Sequence, residues 1–178
     1  MNAILKAGVA LAMLAGAGTP AFAQSNSAST NATTTIIRPV TISKVDDLAF
    51  GKIVKPSAAG NSTIEIGTGA DTASVTAGSA VLLTSTRSRA EYDINGEGGQ
   101  AVTVTVNSGS STFNMTRSGG SETIQVTLLG IPGSAVTLDS SLGSAGTYKL
   151  YLGGNITISD ETATGAYTGS FNVNVAYQ

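Results

Sequence analysis

The sequence has 178 residues, nine Lys plus Arg against eleven Asp plus Glu, a formal net charge of -2, and no His, Cys or Trp. Those zeros exclude Ser-His-Asp and Cys-His nucleophiles, imidazole and thiolate metal sites, disulfides and redox thiols. Few cations and a pI near 4.9 leave no basic footprint for nucleic acid, while 41% apolar residues and abundant Gly, Thr and Val point to one folded all-β domain.

The first segment, MNAILKAGVALAMLAGAGTPAFA, has one cation, Lys6, an apolar run from Ala7 to about Ala15, a Gly/Pro break and the small-residue site Ala21-Phe22-Ala23. This is the pattern of a Sec signal peptide, and the apolar run is too short to cross a bilayer as a helix. Cleavage is expected between Ala23 and Gln24. The mature chain is then expected to be exported, with no integral membrane segment and no disulfide, so packing and sheet hydrogen bonds must hold it together. Four N-x-S/T triplets, at Asn31, Asn61, Asn114 and Asn155, read as chance in a Ser/Thr-rich sequence.

Gln24 to Thr35 is polar and low in complexity and reads as a flexible arm. The domain is expected over 36–178, where apolar residues fall two apart between Gly, Ser, Asn and Pro. Leu48 and Phe50, then Ile64 and Ile66, begin the series. Tyr92 and Ile94 alternate with Glu91 and Asp93, Val102 to Val106 with threonines, and Ile124, Val126 and Leu128 likewise. Tyr148 to Leu152 precede Gly153-Gly154, and Ile156 and Ile158 follow. The final run is the longest, with Tyr167, Gly169, Phe171, Val173, Val175 and Tyr177 expected on one face of a core strand. No helical stripe interrupts this, so the expected fold is an antiparallel immunoglobulin-like β-sandwich.

Catalysis would have to come from carboxylates, Tyr or Lys. Glu65, Glu91 and Asp93 fall on outward strand positions, and Asp46-Asp47 and Asp160-Glu161 in turns, where acids serve the backbone. A turn-borne Ca²⁺ site lacks the D-x-D-x-D-G spacing. Gly96-Glu97-Gly98-Gly99 opens no helix and reads as a flexible turn, and Arg87 and Arg89 as caps on an exposed strand edge. No enzyme, metal or cofactor is expected.

The tail GAYTGSFNVNVAYQ combines Gly165, fourteenth from the end, with alternating apolar residues and a penultimate Tyr177. It resembles the C-terminal motif of chaperone-usher pilins, and R-P-V-T-I-S-x(4)-L-A-F-G at Arg38 to Gly51 resembles the first strand of archaic, spore-coat-U-like pilins. The whole of Arg38 to Gln178 is similar to a secreted proteobacterial family, the domain-of-unknown-function family forty-four-oh-two. Its L-x-F-G-x-I-V segment is seen at Leu48 to Val54, its V-x-L-L segment near Val81 to Leu83, and its L-Y-L-G-G-x-I-x-I segment at Leu150 to Ile158.

The pilin resemblance implies a sandwich lacking its last strand, completed by the arm of a neighbouring like subunit. It also implies a periplasmic chaperone and an outer-membrane usher, and a surface fimbrium with a role in adhesion or biofilm. Gly165, Tyr167, Phe171, Val173, Val175 and Tyr177 would form the edge read by chaperone and donor arm. Ile36, Ile37, Val40 and Ile42 would be either part of the donor or the subunit's own first strand, with Arg38 and Pro39 interrupting the row and Pro removing a ladder donor. The alternative is a self-complete, monomeric secreted or periplasmic module that binds a glycan or other surface ligand.

Overall fold

The computed structural model describes residues 26–178. The expected cleavage site at Ala23 and Gln24 lies outside them. Residues 26–34 carry no strand or helix, and the compact body runs from Thr35 to Gln178.

Thirteen strands make up that body: β1 (Thr41–Asp46), β2 (Ile53–Val54), β3 (Asn61–Ile66), β4 (Ala73–Ala77), β5 (Val81–Leu82), β6 (Ala90–Glu97), β7 (Ala101–Val106), β8 (Thr112–Arg117), β9 (Thr123–Leu129), β10 (Val136–Thr137), β11 (Ala145–Ser159), β12 (Tyr167–Thr168) and β13 (Val173–Tyr177). The only helical piece among the described residues is a single 3-10 turn at Asn107–Gly109. All pairings are antiparallel. One sheet runs β1-β6-β11-β9-β8-β12, with β3 on β11 and β4 on β3; a second is β10-β7-β13, and β2-β5 is a separate ribbon. The all-β antiparallel fold is as the alternation predicts, and it is compatible with an immunoglobulin-like sandwich.

β11 organises the body. Its first half, Ala145–Leu152, pairs with β6; from Gly153 it exchanges partners and pairs with β9 and β3. Gly153 makes the exchange feasible, because a Cβ there would collide with the Ile66 carbonyl oxygen. Two apolar clusters follow from this division. Tyr92, Ile94, Leu150 and Leu152 face Val102, Val104 and Val106 of β7. Ile64, Ile66, Ile124, Val126, Ile156 and Ile158 face Phe50 and, at the margin, Leu48, Ile53 and Leu82. Each such side chain that is fully buried stabilises the fold by roughly 1.5–3 kcal/mol.

Several expectations are corrected. The C-terminal run is not one strand: β12 pairs with β8 and β13 with β7, while Gly169–Asn172 carries no strand and takes the chain between the two sheets. The close approach of Gly169 to the Asn114 carbonyl leaves no room for a Cβ and marks this departure. Nor is the tail deep in the core, since Phe171, Val173, Val175 and Tyr177 are half-buried against the first cluster. Leu48 and Phe50 belong to no strand, Ala49 making an isolated bridge to Ser88. Of Ile36, Ile37, Val40 and Ile42, only Ile42 lies in a strand, opposite Ile94.

Candidate functional site: an unpaired edge, an apolar trough and a carboxylate clamp

β13 hydrogen-bonds along one side only, to β7, and β2 along one side only, to β5. Each therefore presents a row of ladder groups that no other strand of the described residues uses. Beside β2 lies a trough of about 850 Å³. One wall is Leu48–Lys55, the other is Thr162–Tyr167, and Met115, Ile124, Ile156 and Ile158 form the floor. The floor is apolar because β8, β9 and β11 turn alternate residues to this face, and the ribbon covers only part of it.

The residues singled out in the tail divide between two places. Gly165 and Tyr167 line the trough. Gly165 has φ 150, and a Cβ there would press on Arg117 Cγ and Cδ at 3.0 Å, so glycine suits this position on both counts. The Tyr167 hydroxyl donates to the Ala163 carbonyl at 2.7 Å and stiffens the wall. Phe171 lies away from the trough lining, its ring 5.1 Å from that of Phe113. Val173, Val175 and Tyr177 supply the unpaired edge itself. Ile36 is the most exposed large apolar side chain described, at 88%, and Val40 rests half-buried on the first cluster.

The Gly-rich segment holds what sequence reasoning missed. Glu97 is 2% exposed and ends β6 where the chain crosses from one sheet to the other. Its carboxylate accepts the Arg38 main-chain N–H at 3.2 Å, Arg38 Nη1 at 2.9 Å, and the Gly143 N–H. These bonds, that from Gly143 first, hold the Glu97 carboxyl below its ordinary value against the opposing effect of burial. The Glu97 N–H in turn donates to the Tyr177 hydroxyl at 2.7 Å, which donates to the Arg38 carbonyl at 2.8 Å. The expected flexible turn is thus a clamp joining the root of the N-terminal arm, the Ser140–Ser144 loop and β13. Its sequence signal was a lone carboxylate among glycines: a Cβ at Gly96 would strike Leu138 Cδ1 at 2.8 Å and the Tyr177 hydroxyl, and at Gly98 the Ser141 carbonyl at 2.6 Å.

Several other charges pair within the fold. Glu91 and Asp93 share Lys149 across the outer face at 2.8 Å each and hold its ammonium above the usual range, Asp93 contributing most. Arg117 draws Glu122 down to about 2. Arg89 lies 3.8 Å over the Tyr151 ring and donates to the Thr68 carbonyl, so it belongs to the packing of the sheet rather than to a bare edge. Among the described residues no group of three or more acids could hold a metal ion, and no helix is long and apolar enough to cross a membrane.

Fold and site together define an all-β, antiparallel domain with an open sheet edge and an unfilled apolar trough. The chain belongs to the family described as Domain of unknown function (DUF4402), whose model matches residues 40–177. No curated protein and no solved structure matches it. The family match begins just beyond Arg38 and ends at Tyr177, so it spans the trough, Glu97 and the unpaired edge.

Proposed function

We propose that this chain is an exported structural subunit, pilin-like in working, that assembles into a surface fibre by donor-strand complementation and serves adhesion or biofilm formation. The observations that support this reading are the free edge of β13 and, separately, a trough beside β2 with an apolar floor and no strand laid along it among the described residues. A strand with alternating side chains laid there would satisfy unpaired main-chain groups and cover apolar surface at once, which is the physics of β-augmentation. Its source is the arm of a second copy, ending in Ile36 and Ile37; before assembly a periplasmic chaperone would cover the edge and an outer-membrane usher would exchange it. The working chemistry is backbone pairing and burial, with no catalytic step.

The test uses the mature chain from Gln24. It should form SDS-resistant, heat-labile ladders on gels, and deletion of residues 24–37 should abolish them. A stable monomer with unchanged two-state unfolding after that deletion would sink the reading. The second reading, a self-complete binding module, draws support from β1, which pairs with its own β6, and from the Arg38–Glu97 clamp, which seats the arm's root without a neighbour. It calls for saturable glycan binding by a monomer.

A further inference from the structure

Two edges are open to an added strand, and they are not equivalent. Beside β13 stands the chain's own β1, which touches it, and the Tyr177 hydroxyl at the end of β13 donates to the Arg38 carbonyl at 2.8 Å. Val40 and Ile42 already pack on the first cluster together with Val173 and Val175. β2 is different. Its residues Ile53 and Val54 pair only with β5 and line the trough, and the facing wall at Thr162–Tyr167 makes no strand pairing with them. That wall is held from behind by the pairing of Tyr167 and Thr168 with β8. Lys55 ties the two walls at one end by donating to the Asp160 and Thr162 carbonyls.

The floor sets the size of what can enter. Ile124, Ile156 and Ile158 are only 8%, 3% and 6% exposed, so the trough has width for a chain but no socket deep enough for a large side chain. Its rim is close to neutral, with Lys52, Lys55 and Arg87 on the ribbon's side set against Asp160 and Glu161 beside Thr162. The arm matches both features. Residues 24–35 carry no charge. At period two, Ala28, Thr30, Ala32, Thr34 and Ile36 share one face, small until its last member, while Ser29, Asn31, Thr33 and Thr35 share the other. Bulky pegs would overfill this floor, whereas the methyl groups of Ala and Thr can lie on it.

The same chain cannot supply this strand. The root of the arm is fixed where Arg38 bonds to Glu97 at 2.9 Å, and Glu97 lies opposite Ala145 at the start of β11. Ile156, the nearest floor residue on that strand, is eleven residues further on, about 36 Å at about 3.3 Å per residue. Only six residue steps separate Arg38 from Ala32, and fully extended they span at most about 22 Å. An arm rooted at this end must therefore fill the trough of another copy. Such a contact is heterologous and propagates head to tail unless rotation closes it.

We infer that the acceptor of the arm is the trough beside β2 and not the edge of β13, an inference that rests on the donor-strand reading. The strand seated there is residues 28–36 of a second copy, with Ala28, Thr30, Ala32 and Thr34 against the floor. The natural absence of cysteine lets cross-linking read the choice. A size-tagged Ala32→Cys form of the mature chain, mixed with a Thr164→Cys form and oxidised, should give a mixed disulfide dimer. Its yield should be severalfold above that of Ala32→Cys with Asn174→Cys, Thr164 being exposed on the trough wall and Asn174 exposed on β13. Ala28→Asp and Ala32→Asp should each remove the SDS-resistant ladders, whereas Ser29→Asp and Asn31→Asp should leave them. A yield with Asn174 equal to or above that with Thr164, while ladders form, overturns the inference and leaves the donor-strand reading standing. Equal loss of ladders from both faces of the arm overturns the seating of its Ala face. Absence of ladders from the natural mature chain, with no mixed dimer from either pair, overturns the reading and the inference together.

Discussion

Glu97 and Tyr177 are joined across the crossing between two sheets, the Glu97 N–H donating to the Tyr177 hydroxyl at 2.7 Å while that hydroxyl donates to the Arg38 carbonyl. One phenol thus fastens β13 both to the end of β6 and to the root of the arm. Tyr177→Phe leaves a buried N–H without its partner, and the expected loss is about 1–3 kcal/mol. Urea unfolding should show a lower midpoint at unchanged slope; an unshifted midpoint would mean that water replaces the phenol without cost.

Glu97 makes the clamp sensitive to acid. Its carboxyl is held below the ordinary 4.5 by the Gly143 N–H and by Arg38, so the folded state favours the ionised form. That stabilisation is complete above the unfolded-state value and is lost as pH falls through the lowered one. The stability difference between the natural chain and Glu97→Gln is expected to be full at neutral pH and to close progressively below 4.5. A difference independent of pH across that window would show that the ionised carboxylate is not what holds the clamp.

Gly153 and Gly133 should respond oppositely to alanine. At Gly153 the added methyl meets the Ile66 carbonyl, whereas at Gly133 nothing lies within 4 Å and φ is not positive. Overpacking at the point where β11 exchanges partners costs about 1–3 kcal/mol. Gly133→Ala is expected to be neutral or to stabilise by up to about 1 kcal/mol through a stiffer unfolded chain. Thermal unfolding of the pair decides it, and equal shifts would contradict the described backbone.

Leu150 and Leu142 provide the same contrast for burial, at 1% and 55% exposure. Leu150→Ala should lose about 2–5 kcal/mol by transfer and cavity formation. Leu142→Ala should change monomer stability by no more than about 0.5 kcal/mol, which can be read from denaturant midpoints at low protein concentration.

Strand identity was legible in residues whose alternation coincides with burial: Tyr92 and Ile94, Val102 to Val106, and Ile124 to Leu128 all lie inward as their spacing predicts. The tail misled because the same period-two pattern holds whether a run forms one strand or two strands in different sheets. Tyr167 and Val173 share a face in sequence but pair with β8 and β7 respectively. The trough was half legible. Gly165 and Tyr167 were singled out from the tail, but the opposing wall at Leu48–Lys55 reads locally as another strand, and what leaves it apart from the 162–167 segment is how little of the β9–β11 face the ribbon covers.

By itself, the sequence determined the fold class and the kinds of chemistry closed to this protein, because alternation is a local property and the absence of His and Cys requires no coordinates. Only the tertiary structure decided that Glu97 is a buried clamp rather than a loop acid, that β13 and β2 end as unpaired edges, and that a trough opens beside β2. These depend on pairings between residues far apart in the chain, Arg38 with Glu97 and Glu97 with Tyr177 among them. Spacing along one strand does not encode which distant strand, if any, will satisfy its edge.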